Sequence, residues 1–129
     1  MDKTNEIPDF SGYTDIVIPK TVEFQSYLDK ISERADDVRH RRVSRKVDNL
    51  LLITTDGRKA ALDIRLVKPS MHFTTQSKVY SCAEAVYKIY SRTKGDSCAQ
   101  LVFCDTSTPK AGFNIYDELR SLLEGARVY

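Results

Sequence analysis

Four consecutive apolar residues, Leu101, Val102, Phe103 and Cys104, constrain the fold of this chain more than any other feature of its sequence. An unbroken apolar run of this kind is typical of a parallel or central strand that is buried on both faces. It predicts a strand over residues 100–104, which ends where Asp105 begins a polar loop containing a proline. Because such a strand needs neighbours in a sheet, we expect an α/β fold.

The rest of the chain supplies few further strands and several helices. Residues 13–18 alternate in hydropathy and stop at Pro19, which predicts a short strand, and the apolar run at residues 50–53 is a doubtful third. Helices are indicated by apolar residues at three- and four-residue spacing between capping and terminating residues. They are expected from Thr21 to about residue 39, from Thr55 or Asp56 to Pro69, from Ser77 to Gly95, and from Phe113 or Asn114 to Glu124.

The composition is that of one ordinary globular domain. With 129 residues, of which 41% are hydrophobic and 29% charged, the chain is long enough for one modest core. We expect a flexible segment over residues 1–12 and a single α/β domain over residues 13–129, rich in helix and with a small sheet. A sheet that lacks a neighbouring strand leaves an exposed edge, which predicts a homodimer through that edge.

Signals for membrane insertion and secretion are missing from the sequence. No run approaches the roughly 18 apolar residues that a membrane span needs, and the start, MDKTNEIPDF, has no apolar signal core. We therefore expect a cytoplasmic protein with no membrane partner. The net charge of +2 is too small to imply a nucleic-acid partner by itself.

Motifs for catalysis and metal binding are missing as well. The three cysteines form no CxxC pair, and His40 and His72 do not sit at ligand spacing from them, so we predict no metal site and no disulfide. None of the five glycines begins a GxxxxGK[ST] phosphate loop, and the acidic pair in YDELR falls inside a predicted helix. A small hydrolase that uses Cys104 or Asp105 is an alternative, but the sequence offers it no oriented base.

A cluster of basic residues follows the first predicted helix. Five cations, separated by few apolar residues, are candidates for contacts with the phosphates of nucleic acid. They are Arg39, Arg41, Arg42, Arg45 and Lys46. The alternative is a solvated helix end, because Glu33, Asp36 and Asp37 lie just upstream and balance the charge.

A second candidate is the polar loop that follows the predicted strand at residues 100–104. Ligands collect outside the carboxyl ends of strands in open α/β sheets, and hydroxyl and lysine side chains suit a phosphate. Ser107, Thr108 and Lys110 are therefore further candidates for nucleic-acid contacts. The alternative is a plain polar connection to the last helix.

The order of these pieces resembles a known motor. Four stretches carry the resemblance: VIPKTVEFQSYLDKI, with its neighbouring Gln25 and Tyr27, TTDGRKAALDIRLVKP, SKVYSCAEAVYKIY and QLVFCDTSTPKAGFNIYDELRSLL. Together they are similar to the N-terminal part of the second RecA-like lobe, of the P-loop NTPase type, in Swi/Snf-type superfamily-two helicases. The resemblance is greatest to the helicase and DNA-methylase proteins of bacterial conjugative elements and phages.

The resemblance implies a parent protein that couples ATP hydrolysis to movement along duplex DNA. In that family the nucleotide loop and the acidic magnesium box belong to the preceding lobe, and the arginine fingers lie beyond the matched stretches. This chain would then hold no catalytic residue and no cofactor, ATP and magnesium being bound by the rest of the parent. Its partners would be DNA, held weakly and without sequence preference, and the remaining helicase lobes. A non-catalytic protein-interaction module is the alternative.

Overall fold

The computed structural model describes residues 9–126, and that part of the chain is helical. It contains four α-helices and two short 3₁₀ turns. The helices are α1 (Val22–Arg39), α2 (Leu50–Leu62), α3 (Lys78–Thr93) and α4 (Ile115–Ala126), and the turns are Ile64–Leu66 and Lys94–Asp96. The described residues contain no strand, so the prediction of an α/β fold with a small sheet is wrong.

The helices that depend on local signals begin where the sequence predicts. The Thr21 hydroxyl accepts a hydrogen bond from the Phe24 amide at 3.1 Å, and the Ser77 hydroxyl accepts one from the Tyr80 amide at 3.3 Å. Each bond satisfies an amide that has no partner within its helix. The predicted starts of α1 and α3 are therefore confirmed.

Helix α2 differs from its prediction at both ends. It is capped by Asn49, whose side chain accepts from the Leu52 amide, so the doubtful strand at residues 50–53 is its first turn. It ends at Leu62 because Asp63 is extended and caps the following 3₁₀ turn through the Arg65 amide. A short apolar run fits a strand or a helix equally well, and the cap decides between them.

The two other predicted strands are unpaired connections. Residues 13–18 and 100–104 lie outside every helix and have no strand beside them among the described residues. Tyr13 is 91% exposed, Leu101 82% and Phe103 88%. The apolar run at residues 101–104 would be expected to be buried, but no other part of residues 9–126 covers Leu101 and Phe103. The described residues contain no sheet edge. The homodimer itself stays a prediction.

The helices pack as two pairs, α1 with α2 and α3 with α4. Ile53 and Ala60 are buried in α2, Val79 and Ala83 in α3, and Ile115 at the start of α4. These few small or medium side chains are the only buried hydrophobic residues in the described part of the chain. The core is therefore small and divided between the two pairs.

The accessible surface is large for the mass of the chain. It measures 10637 Å² for 14.7 kDa, whereas a compact monomer of this mass exposes about 6,900 Å². The excess is consistent with the apolar side chains that lie uncovered in the connections and on α2. Exposed apolar side chains that lie together mark candidate surfaces for a partner.

Arg34 fixes α2 against α1. Its guanidinium donates to both carboxylate oxygens of Asp48, at 2.7 and 2.9 Å, and to Asp56 at 2.9 Å. The hydrogen bonds from Arg34 lower the pKa of Asp48 below its ordinary value, and the amide of Asn49 lowers it further. Such forked pairing is stronger and more directional than a single contact between a lysine and a carboxylate.

The lowered pKa of Asp48 makes this contact sensitive to acid. A group with a lowered pKa in the folded state stabilises the fold above its unfolded pKa, about 3.9 for aspartate, and loses that effect as the pH falls through the folded value. In urea unfolding followed by circular dichroism, we expect Arg34→Met to be less stable than the parent at pH 6 and the difference to shrink as the pH falls below about 4.

The matched control is Arg39→Met, since Arg39 makes only a long, exposed contact of 3.5 Å with Asp36. It should stay close to the parent at every pH. A gap between Arg34→Met and the parent that is equally wide at pH 6 and pH 3 would contradict a role for Asp48 ionisation.

Candidate nucleic-acid interface

The basic loop comprises Arg39, Arg41, Arg42, Arg45 and Lys46, at the end of α1 and in the connection to α2. All five residues are exposed. Two of them contact carboxylates: Arg39 pairs with Asp36 at 3.5 Å, and Arg42 pairs with Asp37 at 3.1 Å. These exposed pairs are weak and exchange readily with other anions.

Three cations of the basic loop are not paired with any carboxylate among residues 9–126. They are Arg41, Arg45 and Lys46. Within this described part of the chain, upstream acidic residues therefore neutralise only Arg39 and Arg42 of the basic loop. Asp36 and Asp37 pair with Arg39 and Arg42 at the end of α1. The other three cations are free to contact an anion.

The backbone of the basic loop is anchored at its ends. The Asn49 side chain donates to the Arg45 carbonyl at 3.1 Å, and the Val47 amide donates to the Ser44 carbonyl at 2.9 Å. Arg41 adopts a left-handed backbone conformation with φ of 56°, which costs energy for a residue with a side chain. Asp48, held by Arg34, closes the loop against α1, so the basic side chains extend from a turn of defined shape.

The polar loop, residues 105–110, presents fewer free groups than the sequence predicts. Ser107 has a φ of 65°, and its hydroxyl accepts a hydrogen bond from the Ile115 amide at 3.1 Å. That hydroxyl therefore serves the start of α4. Thr108 and Lys110 are exposed, and the Lys110 carbonyl accepts from the Asn114 side chain.

The two candidate regions belong to different helix pairs. The basic loop joins α1 to α2, and the polar loop precedes α4, which packs on α3. No hydrogen bond or ion pair within the described part of the chain connects them. The predicted site residues therefore form two separate surfaces rather than one site.

The acidic pair of α4 and the Cys104 thiol, considered above for catalysis, have structural partners. Glu118 accepts from Arg65 and Asp117 accepts from the Asn114 side chain, so the acidic pair of α4 serves packing and capping. The Cys104 thiol donates to the Thr106 carbonyl, and no histidine is hydrogen-bonded to it. The three cysteines are free thiols, and burial raises the pKa of Cys82. No cluster of potential metal ligands occurs in residues 9–126.

Arg65 is the most connected polar residue that the sequence patterns missed. It donates to Asp63 through two nitrogens at 3.0 and 2.8 Å and to Glu118 of α4 at 2.9 Å. The ring of Phe113 lies 4.4 Å from its guanidinium carbon and that of Phe73 lies 5.3 Å away. The hydrogen bonds that Arg65 donates to Asp63 raise the pKa of Arg65 further above the neutral range. The charged pair two residues apart in ALDIRLV was the available signal.

Comparisons with protein-family models, with curated proteins and with solved structures found no match to this chain. Across residues 9–126, none of the helices combines the length and the apolar character that crossing a lipid bilayer requires.

Proposed function

We propose that this chain binds the phosphate backbone of duplex DNA through its basic loop, as a non-catalytic segment of an ATP-dependent DNA translocase or helicase. The supporting observation is the set of three exposed, unpaired cations within six residues, Arg41, Arg45 and Lys46. Each cation that neutralises a phosphate releases a condensed counterion, which favours binding at low salt. Contacts of this kind carry no sequence preference.

The translocase assignment is supported by the resemblance of the four sequence stretches. A motor that moves over any sequence needs contacts with the backbone rather than with base edges, and arginine and lysine supply these. The proposal concerns the contacts of the chain and not a RecA-like sheet, which the described residues lack. The ATP- and magnesium-binding groups would belong to the rest of the parent protein, and Thr108 and Lys110 would add a weaker second contact.

Removing two cations of the basic loop tests this proposal. For Arg45→Ala with Lys46→Ala, we expect weaker binding to a fluorescent random-sequence duplex and a salt dependence whose logarithmic slope is smaller by about two. Fluorescence anisotropy across a salt series measures both quantities. Neither side chain is hydrogen-bonded to another described residue, so the fold should persist.

The matched control removes the same charge elsewhere. Lys88 and Arg92 are exposed on α3, and Lys88→Ala with Arg92→Ala should keep the slope of the parent. Equal losses in the two double variants would mean that net charge alone governs binding. No binding by the parent at low salt would remove the proposal for the isolated chain. Ser107→Ala is unsuitable as a probe, because that hydroxyl supports the start of α4.

A second candidate function, a protein-interaction module, is favoured by a different observation. Leu50, Leu51, Leu101 and Phe103 are exposed, and the accessible surface exceeds that of a compact chain. Apolar residues in this number are typical of a surface that another protein covers. The salt series separates the two candidates, because an interaction module with no role in DNA binding has no salt-dependent affinity for the duplex.

A further inference from the structure

Residues 98–104 form an irregular segment with unused hydrogen-bonding capacity. They run without a helix, turn or bend. The backbone amides and carbonyls of residues 98–103 make no hydrogen bond to any other described residue, and the Cys104 carbonyl accepts only from the Tyr116 hydroxyl, at 2.6 Å. An extended segment with free amides and carbonyls is a template for pairing with another strand.

One face of this segment is held by α4. Val102 and Cys104 line an apolar groove of about 320 Å³ together with residues of that helix, Tyr116 and Leu119 among them. Leu101 and Phe103 lie on the other face and are almost fully exposed. Val102 is 44% exposed, about half as much as its neighbours Leu101 and Phe103, and an alternation in exposure along the chain is what a strand with one face toward a helix shows.

The exposed area is ample for a stable association. The accessible surface exceeds the expectation for a compact monomer by roughly 3,700 Å². A standard protein interface buries about 800 Å² on each partner. The segment lies within a surface that has enough uncovered area to supply such an interface.

We propose that two copies of this chain associate by antiparallel pairing of residues 100–104, centred on Val102. In this register Leu101 lies opposite Phe103 of the second copy, twice in each dimer, and Gln100 lies opposite Cys104. Aliphatic and aromatic side chains form favourable cross-strand pairs. Asp105 lies opposite Ala99, so no like charges meet along residues 98–106. The pairing satisfies backbone groups that a single copy leaves open.

This inference does not depend on DNA binding, and sedimentation of the protein alone tests it. We expect the parent chain to shift from monomer to dimer as its concentration rises. Phe103→Lys should weaken the association at least tenfold, because it places a charge opposite Leu101 at two positions. Tyr13→Lys is the matched control, since it replaces an equally exposed aromatic residue outside the segment and should leave the association unchanged. Circular dichroism verifies that both variants keep their helices.

The register has its own test. In a Cys98→Ser background, Gln100→Cys should give a covalent dimer under oxidising conditions, because it lies opposite Cys104 of the second copy. Leu101→Cys in the same background faces Phe103 and should give far less. A parent that stays monomeric at every concentration, an association that Phe103→Lys does not weaken, or equal cross-linking of the two cysteine variants would overturn the proposal. A monomeric parent would assign the exposed segment to a different protein partner.

Discussion

Replacing Arg65 with methionine is expected to lower the free energy of unfolding by about 3 kcal/mol, because it leaves a buried carboxylate without its cation. The Asp63 side chain is 3% exposed and that of Arg65 is 12% exposed. After the substitution, Asp63 keeps only the hydrogen bond from the amide of residue 65. The apolar stem of methionine preserves packing against Phe73 and Phe113, so the loss reports mainly the ionic contacts. Urea unfolding followed by circular dichroism measures the change.

Two further variants test why Arg65→Met is expected to be less stable. Asp63→Asn in the Arg65→Met background removes the unpaired charge and should recover part of the loss. Glu118→Gln alone should cost about 1 kcal/mol, because Glu118 is more exposed than Asp63 and keeps one acceptor oxygen. If Arg65→Met unfolds at the same urea concentration as the parent, Arg65 does not hold the two helix pairs together.

Arg65 connects the two helix pairs that make up the core. It lies in the 3₁₀ turn after α2 and donates to Glu118 in α4, 53 residues further along the chain. The buried hydrophobic residues of each pair are few. A polar contact between the pairs therefore carries a larger share of the stability than it would in a domain with one continuous core.

The sequence predicted those elements whose determinants are local. Thr21 and Ser77 cap their helices three residues ahead, and the apolar stripe from Phe24 to Val38 lies on the covered side of α1, although none of it is fully buried and Val22 is exposed. Caps and helical spacing act within one or two turns, so they can be read without knowledge of the fold. The first helix was predicted to within a residue at its start for this reason.

The sheet was predicted wrongly because pairing is not local. Leu101 to Phe103 have the composition of a buried strand, yet a strand becomes part of a sheet only when a second strand lies beside it. Among residues 9–126 there is none. Residues 50–53 were predicted as a doubtful strand, whereas Asn49 caps α2 and makes them its first turn. Residues 1–8 of the predicted flexible segment lie outside the described residues.

In the candidate site, too, the local features could be predicted from the sequence and the non-local ones could not. The exposure of the basic loop followed from its charge, but which of its cations stay free depended on where Asp36 and Asp37 point. Ser107 was predicted as a phosphate contact, whereas its hydroxyl accepts from an amide eight residues away. Arg34 and Arg65 were not predicted to be important because Asp48 and Glu118 lie 14 and 53 residues from them along the chain; only Asp63 is a local partner, two residues from Arg65. Side-chain partners at such separations are fixed by packing and not by local pattern.

Asn114 organises the approach to α4, and its removal is the second large effect that we expect. The residue is 1% exposed. Its side-chain oxygen accepts from the Asp117 amide at 2.9 Å, and its nitrogen donates to the Lys110 carbonyl at 3.0 Å and to the Asp117 carboxylate at 2.7 Å. One amide group therefore caps the helix and ties the polar loop to it.

Asn114→Ala should lower the free energy of unfolding by about 2 to 3 kcal/mol, since it removes a helix cap and also the hydrogen bonds that the side chain donates to the Lys110 carbonyl and the Asp117 carboxylate. Asn114→Asp retains the oxygen that caps α4 but places a second carboxylate against Asp117. At pH 7 that variant should be at least as unstable as Asn114→Ala, and it should gain stability relative to Asn114→Ala as acid protonates one carboxylate of the pair. Urea unfolding at pH 7 and pH 4 measures both effects.

Thr21→Ala is the matched control for the capping contribution. Thr21 caps α1 through one hydrogen bond to Phe24 and makes no other side-chain hydrogen bond to a described residue, so its loss should cost about 1 kcal/mol. The difference between the stability lost in Asn114→Ala and that lost in Thr21→Ala then measures how strongly the polar loop is anchored. Equal costs at the two caps would show that Asn114 only starts the helix. In that case Thr108 and Lys110 would not be held in place by this side chain, and the polar loop would lose its claim to a preformed phosphate contact.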